Sequence, residues 1–197
     1  MACAVGKFKT VIGSISCTDC GAGKYSTATG ASAIATCVNC GAGKYSTTSG
    51  ASVTGTCIDC VAGKYSTTSG ASVAVTCLDC GAGKYLTTPG APGVSSCIDC
   101  DAGKYSTALG ANSNSTCIDC GVGKYSSGTG APDSSTCANC GAGKYLVTTG
   151  QSSCAICGAG KFSDAVGASV ASTCADCEAG KYSELQGVTE VRHVALQ

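Results

Sequence analysis

Cys40-Gly41-Ala42-Gly43-Lys44-Tyr45-Ser46-Thr47-Thr48-Ser49-Gly50-Ala51-Ser52-Val53-Thr54-Gly55-Thr56-Cys57, followed by Ile58-Asp59-Cys60, is one copy of a pattern that fills the chain. Lys-Tyr returns at 24, 44, 64, 84, 104, 124 and 144, a step of 20 residues held over seven copies. A fixed step of this length marks a repeat architecture, in which each unit buries its inner face only against its neighbours. Two copies, Cys3 to Cys17 and Cys140 to Cys154, are three residues shorter between the second Gly and the closing Cys.

Two glycines recur in all ten copies. One precedes each Lys, as in Gly23, Gly43 and Gly180, although the residue two places earlier varies (Val61, Asp101, Glu178). A backbone conformation that a Cβ would forbid accounts for that invariance. The other lies near mid-repeat, and in Pro89-Gly90 it suits the centre of a type II turn. Runs such as Lys84-Tyr85-Leu86-Thr87 and Val94-Ser95-Ser96-Cys97 suit strands, so each repeat reads as a β-hairpin bent at the second Gly. The expected fold is one of small disulfide-rich β repeats. It is an elongated rod or solenoid of about ten hairpins of 17–20 residues with little or no helix. Residues 1–177 carry the repeats opening at Cys3, Cys20, Cys40, Cys60, Cys80, Cys100, Cys120, Cys140 and Cys157. Residues 177–197 read as an incomplete tenth repeat with a non-repetitive tail.

An aromatic follows every Lys of the pattern, from Phe8 to Tyr182, and these ten rings are all the chain has. One ring per repeat, flanked by Cys, is the expected core. One ring cannot offset a backbone entropy of roughly 1–2 kcal/mol per residue, so covalent staples and stacking must supply the rest.

The chain has 19 Cys, too many for a reducing compartment unless they bind metal. Joining the second Cys of each Cys-x-x-Cys to the first Cys of the next gives Cys3–Cys17, Cys20–Cys37, Cys40–Cys57, Cys60–Cys77, Cys80–Cys97, Cys100–Cys117, Cys120–Cys137, Cys140–Cys154 and Cys157–Cys174. This closes one loop per hairpin and leaves only Cys177, whose partner is expected downstream or on a neighbouring subunit, in a polypeptide that extends past both ends. Two alternatives stay open: a redox-type bridge inside each Cys-x-x-Cys, which would not hold a hairpin, and zinc. Zinc needs ligand pairs grouped two by two, whereas these are spaced almost uniformly.

Cys-Gly-Ala-Gly-Lys-Tyr-Ser, then Gly, then Thr-Cys-x-Asp-Cys resembles the ephrin-receptor-like cysteine-rich repeat, itself related to the modules of tumour-necrosis-factor-receptor ectodomains. The likeness covers residues 3 to about 183. It implies loop-closing disulfides of the kind just given. Long uniform arrays of such repeats are found in surface or secreted proteins of algae and other protists. The monotony and the 17-residue Cys-to-Cys step depart from the animal versions, so ephrin or cytokine binding is not carried over.

The remaining features divide among function classes. Formal charge is zero with 12 basic and 12 acidic residues, which excludes the basic stripe that nucleic acid requires, and no apolar run approaches a membrane span. Gly-Ala-Gly-Lys is followed by an aromatic rather than Ser or Thr, so it is no phosphate loop. Asp19, Asp59, Asp79, Asp99, Asp119 and Asp176, with Asn39 and Asn139 standing in, match the lysines as a solvated ladder of weak ion pairs or as a repeated subunit contact. One Asp per repeat is too few for calcium. Ser or Thr precedes every closing Cys, from Ser16 to Thr173, which reads as β-propensity or as O-glycosylation. Thr47, Thr48, Ser49, Thr67, Thr68 and Ser69 are candidate O-glycan sites near the turn, and Asn114-Ser115-Thr116 is the one N-glycosylation sequon. His193, the only His, lies in the tail. No catalytic set, cofactor or metal site is expected. The function expected is that of a structural component of an extracellular filament, stalk or cell-surface coat, self-associating or bound to neighbouring subunits. A receptor or adhesin ectodomain is the alternative, and a metal-binding or redox Cys-x-x-Cys protein a minor one.

Overall fold

The computed structural model describes residues 1–11, 13–178, 181, 182, 187, 192 and 193. They fall into two compact bodies. One comprises Met1–Gly81, Tyr85–Ile98 and Leu109–Ser113, and the other Ala82–Lys84, Asp99–Ala108 and Asn114–Gln197.

The repeat beginning at Cys40 stands for the rest. Gly41-Ala42-Gly43-Lys44 is a type II turn: Lys44 N–H donates to Gly41 C=O at 3.2 Å, and Gly43, the third residue, has φ +81°. The strand Lys44–Tyr45 follows and pairs antiparallel with Ile58–Asp59, Lys44 opposite Asp59 and Tyr45 opposite Ile58. Between them the chain passes Gly50 (φ +69°) and makes one 3-10 turn, Thr54–Thr56. Cys40 is bonded to Cys57 across 5.6 Å between Cα atoms. Nine such bridges join Cys3–Cys17, Cys20–Cys37, Cys40–Cys57, Cys60–Cys77, Cys80–Cys97, Cys100–Cys117, Cys120–Cys137, Cys140–Cys154 and Cys157–Cys174. In the two short repeats the missing three residues are the 3-10 turn, and the bridge spans the same distance, 5.7 and 5.8 Å.

The second strand is therefore not where residue propensity puts it. Val94–Ser96 is a 3-10 turn, and the strand opposite Lys84–Tyr85 is Ile98–Asp99, inside the Cys-x-x-Cys. The Ser or Thr before the closing Cys is the reason in most repeats. Thr56 Oγ1 donates to Val53 C=O at 2.8 Å, Thr76 to Val73 at 2.9 Å and Thr173 to Val170 at 2.8 Å, ties that close a tight turn and compete with a ladder.

Consecutive repeats stack through backbone hydrogen bonds. In the first body Gly43 N–H donates to Ser66 C=O (2.8 Å), Ser46 N–H to Ala71 C=O (3.0 Å) and Gly70 N–H to Cys40 C=O (2.8 Å), with a parallel bridge from Tyr45 to Ala71. In the second body the same three bonds run from Gly103 to Ser126, from Ser106 to Ala131 and from Gly130 to Cys100. Stacking this close reaches the repeat after next. A β-carbon on Gly43 would sit 2.6 Å from the carbonyl carbon of Gly90, nearer still to its oxygen, and one on Gly90 would sit 2.5 Å from Asp59 Oδ1.

Backbones packed at this distance leave little room for rings. The expectation that the aromatics form the core holds for Phe8, which is buried with Cys20, Ala31 and Cys37, and is corrected for the tyrosines: Tyr25, Tyr45, Tyr65, Tyr85 and Tyr105 are only half-buried. The buried set is small. Glycines apart, it consists of the opening cysteines, the closing cysteines Cys37, Cys97, Cys117, Cys137 and Cys174, Phe8, an alanine column (Ala31, Ala51, Ala71, Ala91, Ala111, Ala131, Ala168) and a serine column (Ser26, Ser46, Ser66, Ser106, Ser126, Ser163), in which Leu86 and Leu146 replace Ser. Most of these serine hydroxyls accept the amide two residues on, as Ser66 does from Thr68 at 3.3 Å, so they are satisfied without water.

At the far end, Lys181–Tyr182 pairs with Arg192–His193, with Lys181 opposite His193. That separation of 12 residues is the register of the short repeats, as in Lys7 opposite Asp19. By that register Val191 and Val194 hold the sequence positions of a Cys-x-x-Cys. Gly180 and most of the tail lie outside the described residues.

Candidate functional site

In six of the two-residue strand pairs a Lys and an Asp share one cross-strand rung. Lys7–Asp19, Lys44–Asp59, Lys84–Asp99 and Lys104–Asp119 are in direct contact, Lys64–Asp79 is at 2.6 Å and Lys161–Asp176 at 2.5 Å. Their side chains remain 30–46% exposed, Asp176 more so, which keeps each pair to about 0–1 kcal/mol. The rung does more than face water, because its acid packs on the second Gly of the repeat after next, as Asp19 does on Gly50 and Asp79 on Gly110. Asp119 adds a bond from Thr149 Oγ1 at 3.1 Å. The hydrogen bond from Lys104 leads in holding its carboxyl below the ordinary Asp range, Thr149 assists, and partial burial opposes. Where Asn39 replaces Asp the rung survives as a hydrogen bond from the Lys24 ammonium to a neutral amide oxygen at 2.6 Å, whereas Lys144 faces Ile156.

The candidate glycan sites are all on the surface. Thr47, Thr48, Ser49, Thr67, Thr68 and Ser69 are exposed, but the Ser69 hydroxyl donates to Cys40 C=O at 3.2 Å, so a sugar there would break an inter-repeat bond. Asn114 is exposed and starts the 3-10 turn Asn114–Thr116, the segment that the short repeats omit altogether. The hydroxyls of Thr36, Thr56, Thr76, Thr136 and Thr173 before the closing cysteines, by contrast, are occupied by the turn-closing bonds. Asp133 does similar work: it caps its own 3-10 turn by accepting from Ser135 N–H at 2.8 Å. The Ser135 hydroxyl and that amide together hold its carboxyl below the ordinary range.

Cys177 is the one free thiol, half-buried, among the described residues. No group of three or more His, Cys, Asp or Glu gathers among them, and the His193 side chain lies outside them. Sequence reasoning missed the serine and alanine columns and the turn-closing threonines. Their signal was recurrence at a fixed place in the repeat, which small size disguised.

No protein-family model matches the chain, and no curated protein matches it at a significant level.

Proposed function

We propose that this chain is a structural element of an extracellular assembly, a filament, stalk or cell-surface coat, and that it has no catalytic part. The observation that carries the reading is the hydrogen-bonded stacking of repeat on repeat, each repeat closed by its own disulfide. Nine disulfides fit a secreted or extracellular protein, since thiols are kept reduced in the cytosol. No helix among the described residues is long and apolar enough to cross a membrane. The ephrin-receptor-like resemblance, which rests on the cysteine spacing and the Gly-Lys-aromatic core, points the same way.

The rungs explain how such an element would serve. Acid and base cancel on six of the rungs and the chain as a whole is neutral, so the surface offers a regular, hydroxyl-rich face with little steering toward charged ligands. In this reading glycans sit on Asn114 and on the exposed threonines Thr47, Thr48, Thr67 and Thr68. The test is to label native, unpermeabilised material with an antibody raised against the oxidised repeats, in parallel with thiol titration. Surface or extracellular label with blocked thiols is the expected result. Label confined to the cytoplasm, with thiols free throughout, would overturn the proposal.

A further inference from the structure

An open groove of about 590 Å³ lies on the repeat beginning at Cys60, within the first body. Its apolar lining is Tyr45, Val61, Ala74, Val75 and Leu78 over the Cys60–Cys77 bridge, and Asp59, Lys64 and Asp79 add charge to its lining. Val61 is 63% exposed, Val75 79% and Leu78 52%. This is where one repeat differs from the rest. The position of Val61 is Gly in six of the ten copies, and Ala4, Asp101 or Glu178 in three others. The position of Val75 is Ala35, Gly55 or Ser in every other copy that has the 3-10 turn. Valine stands at both positions in this repeat alone, although neither side chain is needed for the stack.

We infer that this groove is a contact between two copies of the chain, related by a two-fold axis. The patch has what a self-complementary contact requires: a concave apolar floor and, beside it, a valine four-fifths exposed that can enter the partner's groove. The charges along it are already matched within the chain, Lys64 with Asp79 and Asp59 with Lys44, so the lining carries no net charge that would repel its copy, whereas a lining of one sign would. Covering these side chains completely would remove at most roughly 600 Å² from each copy, about 1,200 Å² in all, the very low end of specific interfaces. A weak, concentration-dependent dimer follows.

The contact deepens the assembly reading by naming one surface, and its test is separate from the test of that reading. The oxidised chain is followed by analytical ultracentrifugation from about 2 to 200 µM, beside the double variant Val61→Gly/Val75→Ser and the single variant Val75→Glu. The double variant carries the residues that the next repeat has as Gly81 and Ser95, so it keeps the fold, which circular dichroism and intact disulfides verify. Wild type should climb from 19.0 kDa toward twice that mass, with both variants at least ten-fold weaker. A wild type that stays monomeric at the top concentration overturns the contact. So does a double variant that pairs as strongly as wild type. Neither result touches the extracellular reading, which native labelling decides.

Discussion

Three glycines separate the reasons this fold needs glycine. Gly43 has φ +81° and lies against the backbone of Gly90 and Ala91, the carbonyl carbon of Gly90 being 2.6 Å and the oxygen of Ala91 2.8 Å from where a β-carbon would be. Gly160 holds the same place in its repeat with φ +77°, but among the described residues nothing lies within 4 Å. Gly55, in a 3-10 turn, has neither constraint. Alanine at a left-handed position costs roughly 1–2 kcal/mol, and stiffening the unfolded chain returns about 0.4–1 kcal/mol. Gly160→Ala should therefore cost about 0.5–1.5 kcal/mol. Gly43→Ala adds overpacking of roughly 1–3 kcal/mol, because the atoms it meets are backbone and cannot swing aside, for a total of about 2–4 kcal/mol. Gly55→Ala should stabilise by about 0.4–1 kcal/mol. Stacked repeats do not unfold in one step, so the suitable assay is native-state hydrogen exchange with the disulfides intact. In Gly43→Ala, protection should fall locally and also two repeats on, at the Gly90 amide that bonds Cys60 C=O at 2.8 Å. Equal losses for Gly43→Ala and Gly160→Ala, or no change at Gly90, would refute the argument that repeats touch the repeat after next.

Peptide mapping of the oxidised chain should recover Cys20 linked to Cys37 and Cys100 linked to Cys117, each loop worth about 3 kcal/mol in the chain-entropy model; a Cys17–Cys20 link would show the bridges drawn the wrong way. The Asp119 carboxyl should titrate below a free Asp, and Lys104→Gln should raise it. A depressed folded pKa gives stability that is present above the unfolded value of about 4 and lost as pH falls through the folded one, here within ~1 kcal/mol because the pair is exposed. An Asp119 that titrates identically in both proteins would deny the bond its role. Expression through a eukaryotic secretory route should add an N-glycan removable by glycosidase and abolished by Asn114→Gln, and site mapping should find no sugar on Thr76 or Thr173, whose hydroxyls close their turns. A glycan on either threonine would contradict that assignment.

The parts of this fold that were legible are those recorded in invariance. A glycine that persists while its neighbours change has to mean backbone geometry, and Gly43 and Gly50 both have positive φ. Period and cysteine spacing gave the closed loop, and the matched Lys and Asp are cross-strand partners. What misled was reasoning from side-chain size and propensity. Val94-Ser95-Ser96 has strand-forming residues, but a two-residue strand is decided by where the disulfide and the turn leave free amides, and that is between the cysteines. The rings looked like the core because they are large. Apart from Phe8 in the first repeat, the described rings are half-buried because repeats hydrogen-bonded backbone to backbone admit mainly Cys, Ala, Ser and an occasional Leu between them.

That geometry also limits where the chain is free to vary. The first glycine touches the second glycine two repeats on, and that second glycine touches the acid of a rung two repeats back. Each of these positions thus answers to two neighbours as well as to its own repeat, and a change in one is felt across three. Monotony is a mechanical consequence of such contacts, independent of what the surface binds. Variation is tolerated where no second repeat is reached: the 3-10 turn, which two repeats lack, the residue after the opening cysteine, and exposed hydroxyl residues such as Thr47, Thr48, Thr67 and Thr68. Asn114 belongs to the first of these places, Val75 to the first and Val61 to the second, and the candidate O-glycan threonines to the third, whereas Ser69 is tied to Cys40 of the preceding repeat. Any feature that distinguishes one repeat in its contacts with other molecules has to be written in those positions, so they are where substitutions should alter assembly without altering the stack.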